Sequence, residues 1–172
     1  MSLVKNQFER AVNIVDFNYL WETGAPLPTL LSDTHRTYLL YYLSSSTEFS
    51  EKEIVPIGLP SDSLVALVSF KNCYDVKMGG INDEVIGHHP LWKRGLCAYG
   101  AYEICNSSWI SELQEINSHH PQYRTEYWIN YKHYFFAFHD EMFECIAEDF
   151  EVLVYRGKYK EVAKLAFEKL FL

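Results

Sequence analysis

Six of the seven histidines fall between residues 88 and 139. They stand as His88-His89-Pro90, His119-His120-Pro121, His133 and His139. Imidazole is a common ligand for zinc and other transition metals, and the usual acid–base group near neutral pH. No HExxH spacing sets two imidazoles on one helical face. Adjacent histidines in extended chain point opposite ways, so each pair offers at most one inward ligand. One member of each pair, together with His139 and an acid, would make a metal-assisted hydrolase. The plainer reading is a set of loop histidines held by the prolines that follow them.

Two stretches bring carboxylates to these histidines. Gly79 to Trp92, GGINDEVIGHHPLW, packs Asn82, Asp83, Glu84, His88 and His89 between glycines and a Trp. Loops are where binding residues usually sit. A carboxylate beside a histidine can do general acid–base work. Farther on, His139-Asp140 marks the tip of a hairpin, with Glu144 beyond it. The candidate polar site is therefore Asn82, Asp83, Glu84, His88, His89, His133, His139, Asp140 and Glu144. No catalytic role, metal set or cofactor attaches to it. No GxxxxGK[ST] phosphate loop is present, and no Gly- or Ser-rich elbow surrounds a nucleophile. Cysteines 73, 97, 105 and 145 form no CxxC pair, and Cys145 reads as a core residue.

The element that must position this chemistry is Tyr131 to Tyr155, YKHYFFAFHDEMFECIAEDFEVLVY, which reads as a β-hairpin. Strand side chains alternate between faces. A two-residue turn at Asp140-Glu141 sets His139 opposite Met142 and Phe138 opposite Phe143. One face then carries Tyr134, Phe136, Phe138, Phe143, Cys145 and Ala147. The other carries His133, Phe135, Ala137, His139, Glu144, Ile146 and Glu148, with His133 opposite Glu148. Asp-Glu is not the Asn-Gly or Asp-Gly pair of a tight turn, so a longer loop would change these pairings.

Around the hairpin, residues 3–15 show apolar positions at helical spacing, Val4, Phe8, Ala11, Val12 and Val15. Prolines 26 and 28 force an extended loop. Strands are expected at 36–43, 64–70 and 96–105, with a short one at 75–78. Gly100 suggests a bulge or a close backbone approach. Residues 44–63 read as a loop with a short extended piece, and such length can make a lid. Ser107 or Ser108 can cap a helix whose face holds Trp109, Leu113 and Ile116. A last helix begins at Lys158, with Tyr159, Val162, Ala163, Ala166 and Leu170 as its apolar stripe.

The order predicts a single α+β domain over 1–172. It would hold a largely antiparallel, curved sheet of about five to six strands, with N-terminal, middle and C-terminal helices packed on one face or end. Aromatics make up 16% of the chain, and their alternation assigns most of them to sheet and core rather than to a stacking surface. The net charge of −8 argues against nucleic acid and permits a basic protein partner. Charges near the start and the lack of an apolar run of membrane length argue for a cytoplasmic protein with reduced thiols and no membrane partner. The expected function is a small acidic binding or interaction protein, an immunity- or antitoxin-like partner of a basic protein being one version. The alternatives are the metal-assisted hydrolase and a small-ligand pocket inside the curved sheet. A structure decides whether the histidines converge.

Overall fold

A computed structural model describes residues 8–172. Among the described residues, alternating and continuous apolar runs give ten strands, divided into two five-stranded sheets. The first sheet has the order β1 (Arg10–Asn13), β7 (Ala101–Cys105), β8 (Lys132–Ala137), β9 (Met142–Ala147) and β6 (Asp75–Gly79). The second has the order β2 (Thr29–Ser32), β3 (Thr37–Tyr42), β5 (Leu64–Lys71), β10 (Asp149–Arg156) and β4 (Ile54–Pro56). All pairings are antiparallel except β4 with β10. The fold is α+β and mostly antiparallel. It has two sheets where the alternation of the sequence suggests one.

The two sheets pack face to face through aromatic rings. Phe70 of β5 meets Phe136 at 6.0 Å and Phe143 at 5.2 Å, and Tyr41 of β3 meets Phe138 at 5.3 Å. Leu39, Ala66, Val68, Cys145 and Ala147 complete this interior. Phe136, Phe138 and Phe143 are fully buried in it. Edge-to-face rings add about 0.5–1.5 kcal/mol per pair beyond their area.

The outer faces are covered differently. Helix α2 (Tyr159–Lys169) lays Val162 and Ala166 onto Leu40, Val65, Leu67 and Tyr155 of the second sheet. The loop from β6 to β7 lays Ile86, Leu91 and Leu96 onto Tyr102, Ile104, Phe135, Ala137 and Met142 of the first. Helix α1 (Ser108–Asn117) joins that layer through Trp109, whose ring meets His133 edge-on at 5.2 Å. Helices therefore pack on two opposite faces, because each sheet leaves an outer apolar face that needs its own cover. On α1 only Trp109 is buried, and Ile116 is 61% exposed.

Three expectations change. The proposed helix over 3–15 contains strand β1 instead, and its residues 3–7 lie outside the described part. Ala11 turns inward to Leu96 and Ile104, which only an extended chain paired with β7 achieves. Gly95 permits this approach, since a Cβ there would stand 2.3 Å from the Ala11 carbonyl oxygen. The strand expected over 96–105 shortens to Ala101–Cys105, because Tyr102 folds back so that its hydroxyl bonds to Cys97. A Cβ on Gly100 would meet that hydroxyl at 2.2 Å. Finally, β8 and β9 pair Ala137 with Met142 and Phe136 with Phe143, and Phe138 N–H donates to Glu141 O across a four-residue loop. The register differs by two residues from a tight turn. A two-residue slip keeps every side chain on its face, so both faces of the hairpin are as the alternation sets them. The hairpin ends at Ala147, and β10 belongs to the other sheet. Among the described residues no helix is long and apolar enough to cross a membrane.

Candidate functional site

The loop from Gly79 to Trp92 folds over the outer face of the hairpin. Its 3-10 turns, Ile86–His88 and Trp92–Arg94, drop Ile86 and Leu91 onto Phe135, Ala137 and Met142. Apolar burial thus fixes where Asp83 lands. Its N–H donates to the His139 carbonyl at 2.9 Å, and its Oδ2 lies 3.0 Å from His139 Nδ1. Tyr99, at φ +58, turns its hydroxyl into the same spot. That hydroxyl donates to Asp83 Oδ2 at 2.5 Å and lies 2.9 Å from His139 Nδ1. A non-glycine residue in the left-handed region is uncommon, and such strain concentrates at functional sites.

The electrostatics follow from these bonds. The hydrogen bond from Tyr99 is the main cause holding the Asp83 carboxyl below its ordinary range. The bond to Asp83 raises the His139 imidazole above its ordinary value, so the ion pair is favoured. The same carboxylate pushes the Tyr99 phenol up to about 12, so it remains a donor. Asp83 Oδ1 is buried and has no hydrogen-bond partner among the described residues. Asp140, the sequence neighbour of His139, is exposed and stands 3.9 Å from Nε2. Its charge adds to the rise of the His139 imidazole.

A second relay lies on the same sheet face. Ser107 caps α1 by accepting from Ile110 N–H at 3.2 Å. Its Oγ is 2.9 Å from His133 Nδ1, and His133 Nε2 is 2.8 Å from Glu144 Oε2. His133 is 3% exposed and Ser107 5%. The partner of His133 is Glu144, not Glu148, because the wider turn sets His133 opposite Ile146 and leaves Glu144 on the diagonal. Lys77, paired across from Glu144, lies 3.6 Å over the Trp109 ring.

The remaining candidates do not join either relay. His89 accepts from Leu91 N–H at 3.1 Å and packs edge-on to Phe135, and burial holds its imidazole below the ordinary value. His88 and Glu84 are exposed. The Asn82 carbonyl accepts from Val85 N–H in the loop. His119 and His120 sit at the far end of α1. Among the described residues no three of His, Cys, Asp and Glu are grouped to hold a metal ion, so the metal-assisted reading has no ligand set there. His89, His119 and His120 each turn a ring nitrogen to a separate local backbone group, and His88 is exposed.

Sequence reasoning missed an aromatic pocket of about 540 Å³. Tyr74 before β6, Trp128 of the 3-10 turn Thr125–Trp128 and Tyr131 before β8 pack on one another at 4.9–5.8 Å. Asn117, His120, Arg124, Tyr127 and Glu148 also line it. Tyr74 O–H donates to Asn117 Oδ1 at 2.9 Å, and Asn72 Nδ2 donates to Glu148 Oε2 at 2.8 Å. Burial, and then Glu148, hold the Tyr131 phenol above its ordinary value. The signal available in the sequence was YRTEYWINY, a run of aromatics without strand alternation. Tyr99 carried no sequence signal and Ser107 only that of a helix cap, because both meet their histidines only through the fold.

Comparison of the chain with protein-family models, with curated proteins and with solved structures finds no match.

Proposed function

We propose that this is a small acidic binding protein that takes a basic protein partner, one of whose cationic side chains enters the aromatic pocket. The observation that carries the reading is the joining of Tyr74, Trp128 and Tyr131 with Glu148 around one 540 Å³ opening. That size is in the range of ligand pockets. Aromatic faces attract cations by about 0.5–2 kcal/mol, and a carboxylate beside them adds charge complementarity. The net charge of −8 steers a basic partner toward the surface. Arg124, Asn117 and His120 support a second occupant, a neutral polar ring such as a sugar, because they supply donors around the stacking faces.

The test uses lysine- and arginine-rich peptides, with acidic peptides and simple sugars as the other arms, titrated calorimetrically. Tyr127 is 63% exposed and Tyr74 44%, so Tyr127→Ala and Tyr74→Ala each remove a largely solvent-facing ring. The basic peptide is expected to bind, and Tyr74→Ala or Glu148→Gln to weaken it about tenfold. Glu112→Gln, an equal charge change on α1, should leave the affinity near wild type. Equal weakening by Glu112→Gln, or no binding of any basic peptide, would sink the reading. Binding of sugars alone would select the second occupant.

A further inference from the structure

The pocket reading leaves the buried Ser107–His133–Glu144 relay without a use. A helix cap needs only the serine, yet here the serine is also bonded to an imidazole that a carboxylate orients. Ser107 Oγ accepts from Ile110 N–H and lies 2.9 Å from His133 Nδ1, so its one proton is free to be given to that nitrogen when Nδ1 is unprotonated. Glu144 accepts from Nε2 and fixes the tautomer that leaves Nδ1 as the base. Nucleophile to base is 2.9 Å and base to orienting acid is 2.8 Å, both within the range that such catalysis requires. Ser107 also stands on a turn from strand β7 to helix α1, after Asn106 at φ +55. Strand–turn–helix placement is how several hydrolases present a nucleophile. A recess of about 230 Å³ opens on this spot, lined by Ser107, His133, Ile104, Ile110 and Tyr131 among others.

We propose that Ser107 is the nucleophile of an acyl-ester hydrolase site, with His133 as its base and Glu144 as a positioning residue. The recess is smaller than a drug-sized pocket and partly apolar, so the substrate class is a short-chain ester. In the first step Ser107 Oγ attacks the ester carbonyl carbon and its proton passes to His133 Nδ1. The carbon–oxygen bond to the alcohol then breaks, and the imidazolium returns the proton to the departing alkoxide. In the second step water attacks the acyl-serine. It gives one proton to His133, the acid leaves, and that proton restores the Ser107 hydroxyl. The positive end of the α1 dipole faces the negative charge that forms in both steps.

The experiment treats the full chain with an alkyl fluorophosphonate, followed by intact mass and peptide mapping. Attack forms an Oγ–phosphorus bond and releases fluoride, so the expected result is one adduct per chain, on Ser107. The adduct should vanish in urea-unfolded protein, in Ser107→Ala and in Ser107→Asn, the last of which retains a capping side chain. His133→Phe should slow labelling at least about tenfold. With p-nitrophenyl acetate, Glu144→Gln should lower kcat at least about tenfold with KM unchanged, which a purely structural carboxylate would not do. No adduct on Ser107 in the native chain would overturn the proposal. So would labelling that proceeds at the same rate in His133→Phe.

Discussion

The energetic coupling between Ser107 and His133 can be worked out from their surroundings. Ser107→Ala removes two things. The first is the helix cap, since Ser107 Oγ accepts from Ile110 N–H, and losing such a cap costs about 1 kcal/mol. The second is the partner of His133 Nδ1, which is then left unpaired on a residue only 3% exposed, at about 1–3 kcal/mol. The sum is about 2–4 kcal/mol, or a drop in Tm of roughly 5–15 °C for a domain of this size. His133→Phe preserves an aromatic ring against Trp109 and abolishes the bond. In that background Ser107→Ala should cost only the cap, about 1 kcal/mol. The double-mutant cycle therefore predicts a coupling of about 1–3 kcal/mol. Urea unfolding followed by circular dichroism measures all four corners. A coupling below about 0.5 kcal/mol would refute the reasoning, because it would mean that water or another group satisfies His133 equally well.

The ion pair at the hairpin tip gives a pH prediction. Asp83 titrates below its ordinary value, so its stabilisation is present above that value and lost as pH falls. His139 titrates above its ordinary value, so its stabilisation is full below about 6.5 and lost as pH rises through the raised value. The Tm advantage of wild type over His139→Ala should thus be largest between about pH 4.5 and 6.5 and shrink on both sides, which scanning calorimetry checks. In the interior, Phe136 meets Phe17, Trp21, Phe70 and Phe143 and is fully buried. Phe136→Ala should destabilise by about 3–5 kcal/mol in urea unfolding, the usual result of emptying an aromatic site.

The sequence by itself determined which residues share a face of the hairpin, and where α1 and α2 begin. Tyr134, Phe136 and Phe138 alternate with His133, Phe135 and Ala137, and a period of two survives even a register shift of two residues. Ser107 was legible as a cap because capping is local. Strand β3 was legible as covered on both faces because its apolar run is continuous. Alternation says that a face is buried and is silent on what covers it, so the division into two sheets was decided only by tertiary structure. The same holds for β1, where Ala11 and Val12 fit helical spacing until pairing with β7 selects the strand. It holds most for the sites. Asp83 and His139 are 56 residues apart in sequence and 3.0 Å apart in the fold, because apolar Ile86 and Leu91 dock the loop onto the hairpin. Hydrogen-bond partners at that separation leave no period in a sequence. Only the burial of their apolar neighbours sets Asp83 against His139, and His133 between Ser107 and Glu144.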